Sequence, residues 1–457
     1  MSAWMKWVPG RALMVGACLG ALCASAVHAE PAKRSPFRKL QVFARALAHV
    51  EQSHVREVSD DELVEGAIRG MLASLDPHSE YLTPDEYRVL AADTEGRYAG
   101  AGIEIDVHDG WLTVLTVFPG GPAALAGVRA GDRFLSIDGV PARDLPIAEA
   151  VRRMRGEPGT QVRVTLRRVD REDAIDLVLT RAVIDVPAVE GRVLADRVAY
   201  LRLRSFQETA PAEFARALDV AVERSAGAGG LRGLVIDLRD NPGGLVSAAV
   251  EIADEFLREG VVVSIRGRGG RLQREYRAHA SGTRPDWPVV LMVNAYSASA
   301  AEILAGALHD HRRAVIVGTR SFGKGSVQNV IELPDGSAMK LTTALYYTPS
   351  GRSIQADGIE PDVVVESGVG EAADASDPGP DIVREADLEH HLAPPAAART
   401  NDAGGRGQRQ GVQARAIDGA DPFPGDAQAR MAYQIARALA ATRPTPPEAT
   451  TRPTRSE

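Results

Sequence analysis

Apolar positions along the chain change their period from region to region. Between residues 37 and 92 they recur three or four apart, as in Phe37, Leu40, Phe43, Ala44 and Leu47, which predicts amphipathic helices. A second helical run, 63–75, follows Ser59-Asp-Asp-Glu62, the serine–glutamate spacing of a capping box, and Asp76-Pro-His-Ser79 ends it. From 98 to 185 the period shortens to two. Segments 102–107, 112–117, 133–137 and 162–166 read as short strands, separated by the turn signals Pro119-Gly-Gly-Pro122, Asp138-Gly139 and Pro158-Gly159. One amphipathic helix, 147–154, lies among them.

From 186 to 365 the pattern changes again. Nearly continuous apolar strands (198–203, 234–238, 289–293, 314–317) alternate with helices (213–225, 246–257, 300–309). Strands apolar on both faces, separated by helices, predict a mixed α/β core with a largely parallel sheet covered on both sides. Beyond 366 the chain turns to Ala, Asp, Gly, Pro and Arg, and 396–411 has few apolar side chains larger than alanine. Such a stretch buries too little surface to offset its ordering entropy, so a partly disordered tail is expected. A last helix, 427–440, is placed to dock back on the core.

With 457 residues the chain exceeds one ordinary domain, and a net charge of −8 argues against nucleic acid as a partner. Lys6 and Arg11, the apolar run 12–26 and Val27-His28-Ala29 form a three-part secretory signal over 1–29, so export, to a bacterial periplasm, is expected. A retained N-terminal anchor, or lipidation at Cys18 after Val15-Gly-Ala, is the rival reading. Both cysteines, Cys18 and Cys23, fall inside that segment, which excludes cysteine catalysis and cysteine-based zinc sites in the mature chain. His309-Asp-His311 is an i, i+2 pair that does not face one way on a helix. No metal or cofactor is expected.

The chemistry concentrates in Tyr296-Ser-Ala-Ser-Ala-Ala-Glu302 and Ser321-Phe-Gly-Lys-Gly-Ser-Val-Gln328. Ser299 follows a buried strand and opens a helix, a geometry that exposes a hydroxyl beside free helix-end N–H groups. Ala300 would offer the first N–H to an oxyanion. Ser299-Ala-Ala-Glu302 is also a capping box, so a plain cap is the competing role, and Ser297 is a rival nucleophile. Lys324 lies between two glycines, with no acid between Arg320 and Asn329. Burial without a carboxylate partner would keep its amine neutral and able to accept a proton. Gln328 can orient that amine without adding charge. Gly318-Thr-Arg-Ser-Phe-Gly-Lys324 imitates a phosphate-binding loop, but Gly325 replaces the metal-binding hydroxyl and a strand pattern follows, which argues against nucleotide.

These motifs, with Val235-Ile-Asp-Leu-Arg-Asp-Asn-Pro-Gly-Gly244, Leu341-Thr-Thr-Ala-Leu-Tyr-Tyr-Thr-Pro-Ser-Gly-Arg-Ser-Ile354 and Gly70-Met-Leu-Ala-Ser-Leu-Asp-Pro-His-Ser79, resemble the carboxyl-terminal processing peptidases, tail-specific serine proteases with a PDZ domain. The resemblance runs from about 37 to 365. It implies a helical region (37–95), an inserted PDZ domain (98–185), a protease core (186–365) of the ClpP/crotonase-like type, and a tail (366–457). It implies Ser299 as nucleophile, Lys324 as general base, Gln328 as its orienting partner, and an oxyanion donor from Gly243 or Gly244 alongside Ala300. The peptide carboxylate would sit on Gly100-Ala-Gly-Ile103, meaning the N–H groups of Gly100, Ala101, Gly102 and Ile103. The last substrate side chain would reach Ile103, Ile105, Ala150, Val151 and Met154. Arg168 resembles a position linking peptide docking to the active site. The expected partners are proteins with unstructured apolar C-termini, with an adaptor or homo-oligomer as further possibilities. The alternative is a PDZ-bearing scaffold with an inactive core. The chain departs from the family pattern at Ala301, where a second serine is frequent, and the tail after Gly368 has no clear match.

Overall fold

Two of the parallel strands, Gly233–Asp237 and Val289–Val293, are buried at every position, and that determines what must cover them. The computed structural model describes residues 36–366 except Asp109, Asp144 and Glu172, together with 383–394 and 421–442. The secretory segment and most of the low-complexity tail lie outside the described residues. Of the unmatched stretch after Gly368, residues 383–394 and 421–442 are described.

The described residues divide into two compact units at the Arg69–Gly70 boundary. The first contains the helix Pro36–Ser53 and most of Asp60–Ala73. The Glu62 N–H donates to the Ser59 hydroxyl, so the predicted cap starts the second helix at Asp60, three residues before its first apolar position.

In the second unit, one six-stranded sheet runs in the order Val189–Val193, Val198–Leu203, Gly233–Asp237, Val289–Val293, Ala314–Gly318, Val363–Val364. Its first pairing is antiparallel and the other four are parallel. Alternate residues serve opposite faces. Leu234, Ile236, Leu291 and Val293 pack in one core with the helices Ala210–Ala226, Val246–Asp254 and Ala300–Asp310. Val235, Val290, Met292 and Val317 pack in another with Phe423, Tyr433 and Ala436. The terminal helix Ala427–Ala441 therefore closes the second face. Asp426, just before it, pairs with Arg239, which also grips Asp237 at the end of its strand.

The core also contains β structure beyond the expected parallel sheet. A second sheet, antiparallel throughout, joins Glu80–Leu82, Ala338–Tyr347, Val261–Gly267 and Leu272–Arg277, with Ser326–Glu332 on the flank of Ala338–Tyr347. Its strands mix polar and apolar residues with too little regular periodicity to stand out. Leu272–Arg277 is exposed at all but one position.

Residues 103–180 build a separate sheet, ordered Ile103–His108, Trp111–Val117, Arg133–Ile137, Gln161–Arg167, Ile175–Thr180, with the helix Ile147–Met154 and its own core around Phe134, Ile137, Val162 and Leu166. The chain enters through Arg97–Gly100 and leaves through Ala182–Asp185, and these two strands pair with each other. That pairing explains how a whole domain sits inside another chain segment. Among the described residues no helix is long and apolar enough to cross a membrane.

Candidate active site

Ser299 sits between Val289–Val293 and Ala300–Asp310 with φ 56° and ψ −114°. A positive φ is costly for a serine and marks a turn held by its surroundings. The capping box closes chiefly from the glutamate's side. The Ser299 N–H donates to Glu302 Oε2 at 2.8 Å, while the Glu302 N–H goes to the Ser299 carbonyl at 2.9 Å. The Ser299 side chain is hydrogen-bonded to the hydroxyl of Tyr346, whose burial pushes its phenol well above the ordinary value. Ser297 is fully buried and its hydroxyl donates to the Leu238 carbonyl at 2.7 Å, so it braces the turn and is closed to substrate.

Opposite the serine, Gly243 and Gly244 hold φ 103° and 137°. A Cβ on Gly243 would lie 2.7 Å from Ser299 Cβ and 3.0 Å from the Ala300 nitrogen. Only glycine permits this approach. The Gly243 N–H is already given to Asn241 Oδ1 at 2.9 Å. The bridge of Gly244 to Phe206 uses the Gly243 carbonyl and the Leu245 N–H, which leaves the Gly244 N–H turned away from that bridge. Of the two glycines, Gly243 is thus the one whose N–H is engaged within its own turn.

Lys324 meets the nucleophile turn through its backbone. Its loop is tied to the nucleophile turn by Glu302, which has no exposed surface. Glu302 Oε2 accepts from the Lys324 N–H at 2.9 Å as well as from Ser299, and Oε1 accepts from the Ser321 hydroxyl at 2.5 Å and the Gly323 N–H at 2.8 Å. Burial pushes this carboxyl up to about 7 against those four donors. Phe322 adds a bond to the Ser297 carbonyl at 3.0 Å. The flanking glycine works as its spacing suggests, since a Cβ on Gly325 would meet the Gln355 nitrogen at 2.4 Å.

The Lys324 amine is held below the ordinary lysine value, first by burial and then by the charge of Lys340, while Glu385, Glu80 and Glu302 pull it partly back. Gln328 lies on the adjoining strand, but its amide donates to Ser326 Oγ (2.9 Å) and Thr342 Oγ1 (3.3 Å) rather than to the lysine. His309 sits at the far end of the nucleophile helix, where Asp310 and Asp362 push it up to about 9. At neutral pH it is charged and remote, unfit to act as a base for Ser299.

The peptide groove is an edge. Ile103–His108 pairs only with Trp111–Val117 within its sheet, and a cavity of about 410 Å³ opens between it and the helix Ile147–Met154. Ala101, Ile103, Ile105, Val151 and Met154 line it, together with Tyr98 and Phe118, which the pattern analysis did not single out. Ala150 belongs to the domain core instead, fully buried. Gly100 and Gly102 flank Ala101 in the chain, Gly102 with φ 76°. Arg168 makes a two-pronged pair with Asp132 at 2.7 and 2.8 Å and donates to the Gly127 carbonyl. These partners all lie inside the domain, so any influence of Arg168 on the active site is indirect.

The sequence reading treated Glu302 only as a helix cap and missed Tyr346. The signal for Glu302 was present: a glutamate inside the otherwise apolar Ala300-Ala-Glu-Ile-Leu-Ala305 must be buried, and a buried carboxylate needs several donors.

Fold and site together define a serine peptidase carrying a PDZ domain. The profile of peptidase family S41 matches residues 197–365, that of a PDZ domain 113–168, and that of the activating protease CtpB N-terminal domain 12–86. The carboxy-terminal-processing protease of Bartonella bacilliformis is 41% identical over 334 residues, covering 73% of this chain and 76% of that protein. The carboxyl-terminal-processing protease of Picosynechococcus sp. is 38% identical, covering 67% of this chain and 73% of that protein. The carboxy-terminal processing protease CtpA of Bacillus subtilis is 32% identical, covering 73% and 69%. A solved photosystem II D1 C-terminal processing protease is 32% identical, with a TM-score of 0.47 over 71% of this chain and 92% of that one. The chain belongs to peptidase family S41, among the carboxy-terminal processing proteases.

Proposed function

We propose that this protein is an exported endopeptidase that captures the unstructured, apolar C-termini of protein substrates in its PDZ groove and cleaves them by a Ser–Lys acyl-enzyme mechanism, on a core of the ClpP/crotonase-like type. The observation that carries the reading is the single buried carboxylate of Glu302, which accepts the N–H groups of both Ser299 and Lys324. It ties the strained turn of Ser299 to the loop of a lysine whose burial favours the neutral amine.

In this mechanism Lys324 takes the Ser299 proton as the hydroxyl attacks the scissile carbonyl, and the N–H groups of Ala300 and Gly244 receive the oxyanion. The lysine then gives its proton to the leaving amine; in deacylation the neutral Lys324 amine takes a proton from water as it attacks the acyl carbonyl, and returns it to the Ser299 oxygen as the ester bond breaks. Gln328 acts through the strand beside the lysine. A bound tail extends the sheet at Ile103–His108 and sends its last side chain toward Val151 and Met154. The N-terminal signal accounts for a periplasmic location, and an adaptor or homo-oligomer would bear on assembly.

An unfolded substrate bearing an apolar C-terminal tail, incubated with wild type and with Ser299→Ala, tests the reading. Cleavage should vanish in the variant while tail binding persists. A variant that cleaves at the wild-type rate sinks it.

A further inference from the structure

The stretch 383–394 comes from the low-complexity tail, yet it lies against the loop that carries Lys324. Arg384 Nη1 donates to the carbonyls of Arg320 (2.7 Å) and Ser321 (2.8 Å), and the Glu385 N–H donates to the Phe322 carbonyl (3.2 Å). The Glu385 side chain has no exposed surface. Its Oε1 accepts from Gln355 Nε2 at 2.7 Å, and Gln355 Oε1 in turn accepts from the Gly325 N–H at 3.0 Å. Its Oε2 meets His78 Nε2 at 2.7 Å. The loop is therefore held on both sides of Lys324, directly at 320–322 and through Gln355 at 325. A glutamate is seldom fully buried, and burying one is costly unless it is well partnered.

We propose that Glu385, presented by this strap, is a positioning residue for the peptidase reaction: it fixes the base loop through Gln355 and sets a negative charge near the base. The proposal rests on the reading of Lys324 as the base. The charged groups that act most strongly on Lys324 are Lys340 on Ala338–Tyr347, Glu385 on the strap, Glu80 on Glu80–Leu82 and Glu302 on Ala300–Asp310. His78 and Arg384 complete the strap's polar surroundings. Lys340 is itself paired with Glu80 at 2.8 Å. The carboxylate of Glu385 favours the ammonium form of Lys324, so removing its charge favours the neutral amine.

The test uses the full chain with a tailed, unfolded substrate. Glu385→Gln keeps the shape and deletes the charge, and the acid limb of its kcat profile should move to lower pH with KM unchanged. Glu385→Ala also deletes the bond to Gln355. It should lower kcat about tenfold, the scale of a small misplacement at a reacting group, and speed hydrogen exchange at the Gly325 amide. An acid limb unmoved in Glu385→Gln overturns the proposal, as does a kcat that rises in both variants, which would make the strap inhibitory. If Glu385→Ala does not fold, the Glu385→Gln profile decides alone. Lys324→Ala is run alongside. Were it as active as wild type, the assignment of the base would fall; were it inactive with both Glu385 variants unchanged, only the role of the strap would fall.

Discussion

The nucleophile turn and the base loop are built in opposite ways. Ser299 takes its turn from a buried strand before it, a buried helix after it and Ser297 bracing the bend, most of it within residues 289–310. Lys324 owes its surroundings to positions 80, 302, 340, 355 and 385, spread over most of the chain. The first is a local conformational problem, solved by strand and helix packing. The second is a dielectric problem, solved only when distant elements converge. Glu302 is where the two meet.

Direct attack on either half should have the largest effect. Ser299→Ala and Lys324→Ala are each expected to lower kcat by more than about a thousandfold in single-turnover cleavage, and the double variant should cost little more, since the two act as a unit. Comparable activity in either single variant would separate the halves. Gly243→Ala comes next: its methyl would meet Ser299 and the Ala300 nitrogen at a positive φ, and kcat should fall about a hundredfold with tail binding intact.

Acidity sharpens the comparison further. The reactive form of Lys324 is the free amine, so kcat/KM should fall as pH drops through the depressed lysine value, with its midpoint below the ordinary 10.5. Glu302 contributes separately to stability. Its carboxyl rises from 4.5 to about 7 on folding, so the folded state binds the proton more tightly, and this group's contribution to stability declines as pH rises from about 4.5 to 7. Denaturant titrations of Glu302→Gln should lack that slope; an unchanged slope would show that Glu302 does not supply it.

The smallest effect is expected farthest from the chemistry. Val151→Asp, in the groove, should raise KM for a tailed substrate about tenfold, roughly 1.4 kcal/mol, and leave kcat and the untailed substrate unaffected. A loss of kcat instead would mean that the groove governs the site and does more than hold the tail.

Much of this was legible from periodicity. The parallel strands, the helices between them and the inserted β-rich domain all appear as changes in apolar spacing, because burial on one or two faces imposes a period. The antiparallel sheet was less legible. Of its strands only Ser326–Glu332 alternates clearly, and Leu272–Arg277 reads as polar chain. That the Gly243 N–H is engaged by Asn241 is visible only in the folded turn. Gln328 was placed on the correct strand, but its partners, Ser326 and Thr342, follow from strand register.

The sequence alone determined the strand–serine–helix turn, the glycines that let backbones touch, and a lysine with no acid beside it in the chain, because each depends on local backbone geometry or composition. Tertiary structure decided how far that lysine is desolvated, which carboxylates approach it, and that a segment of the tail reaches it. Those depend on which distant residues share a small, water-poor volume, and only the folded packing of the chain brings them there.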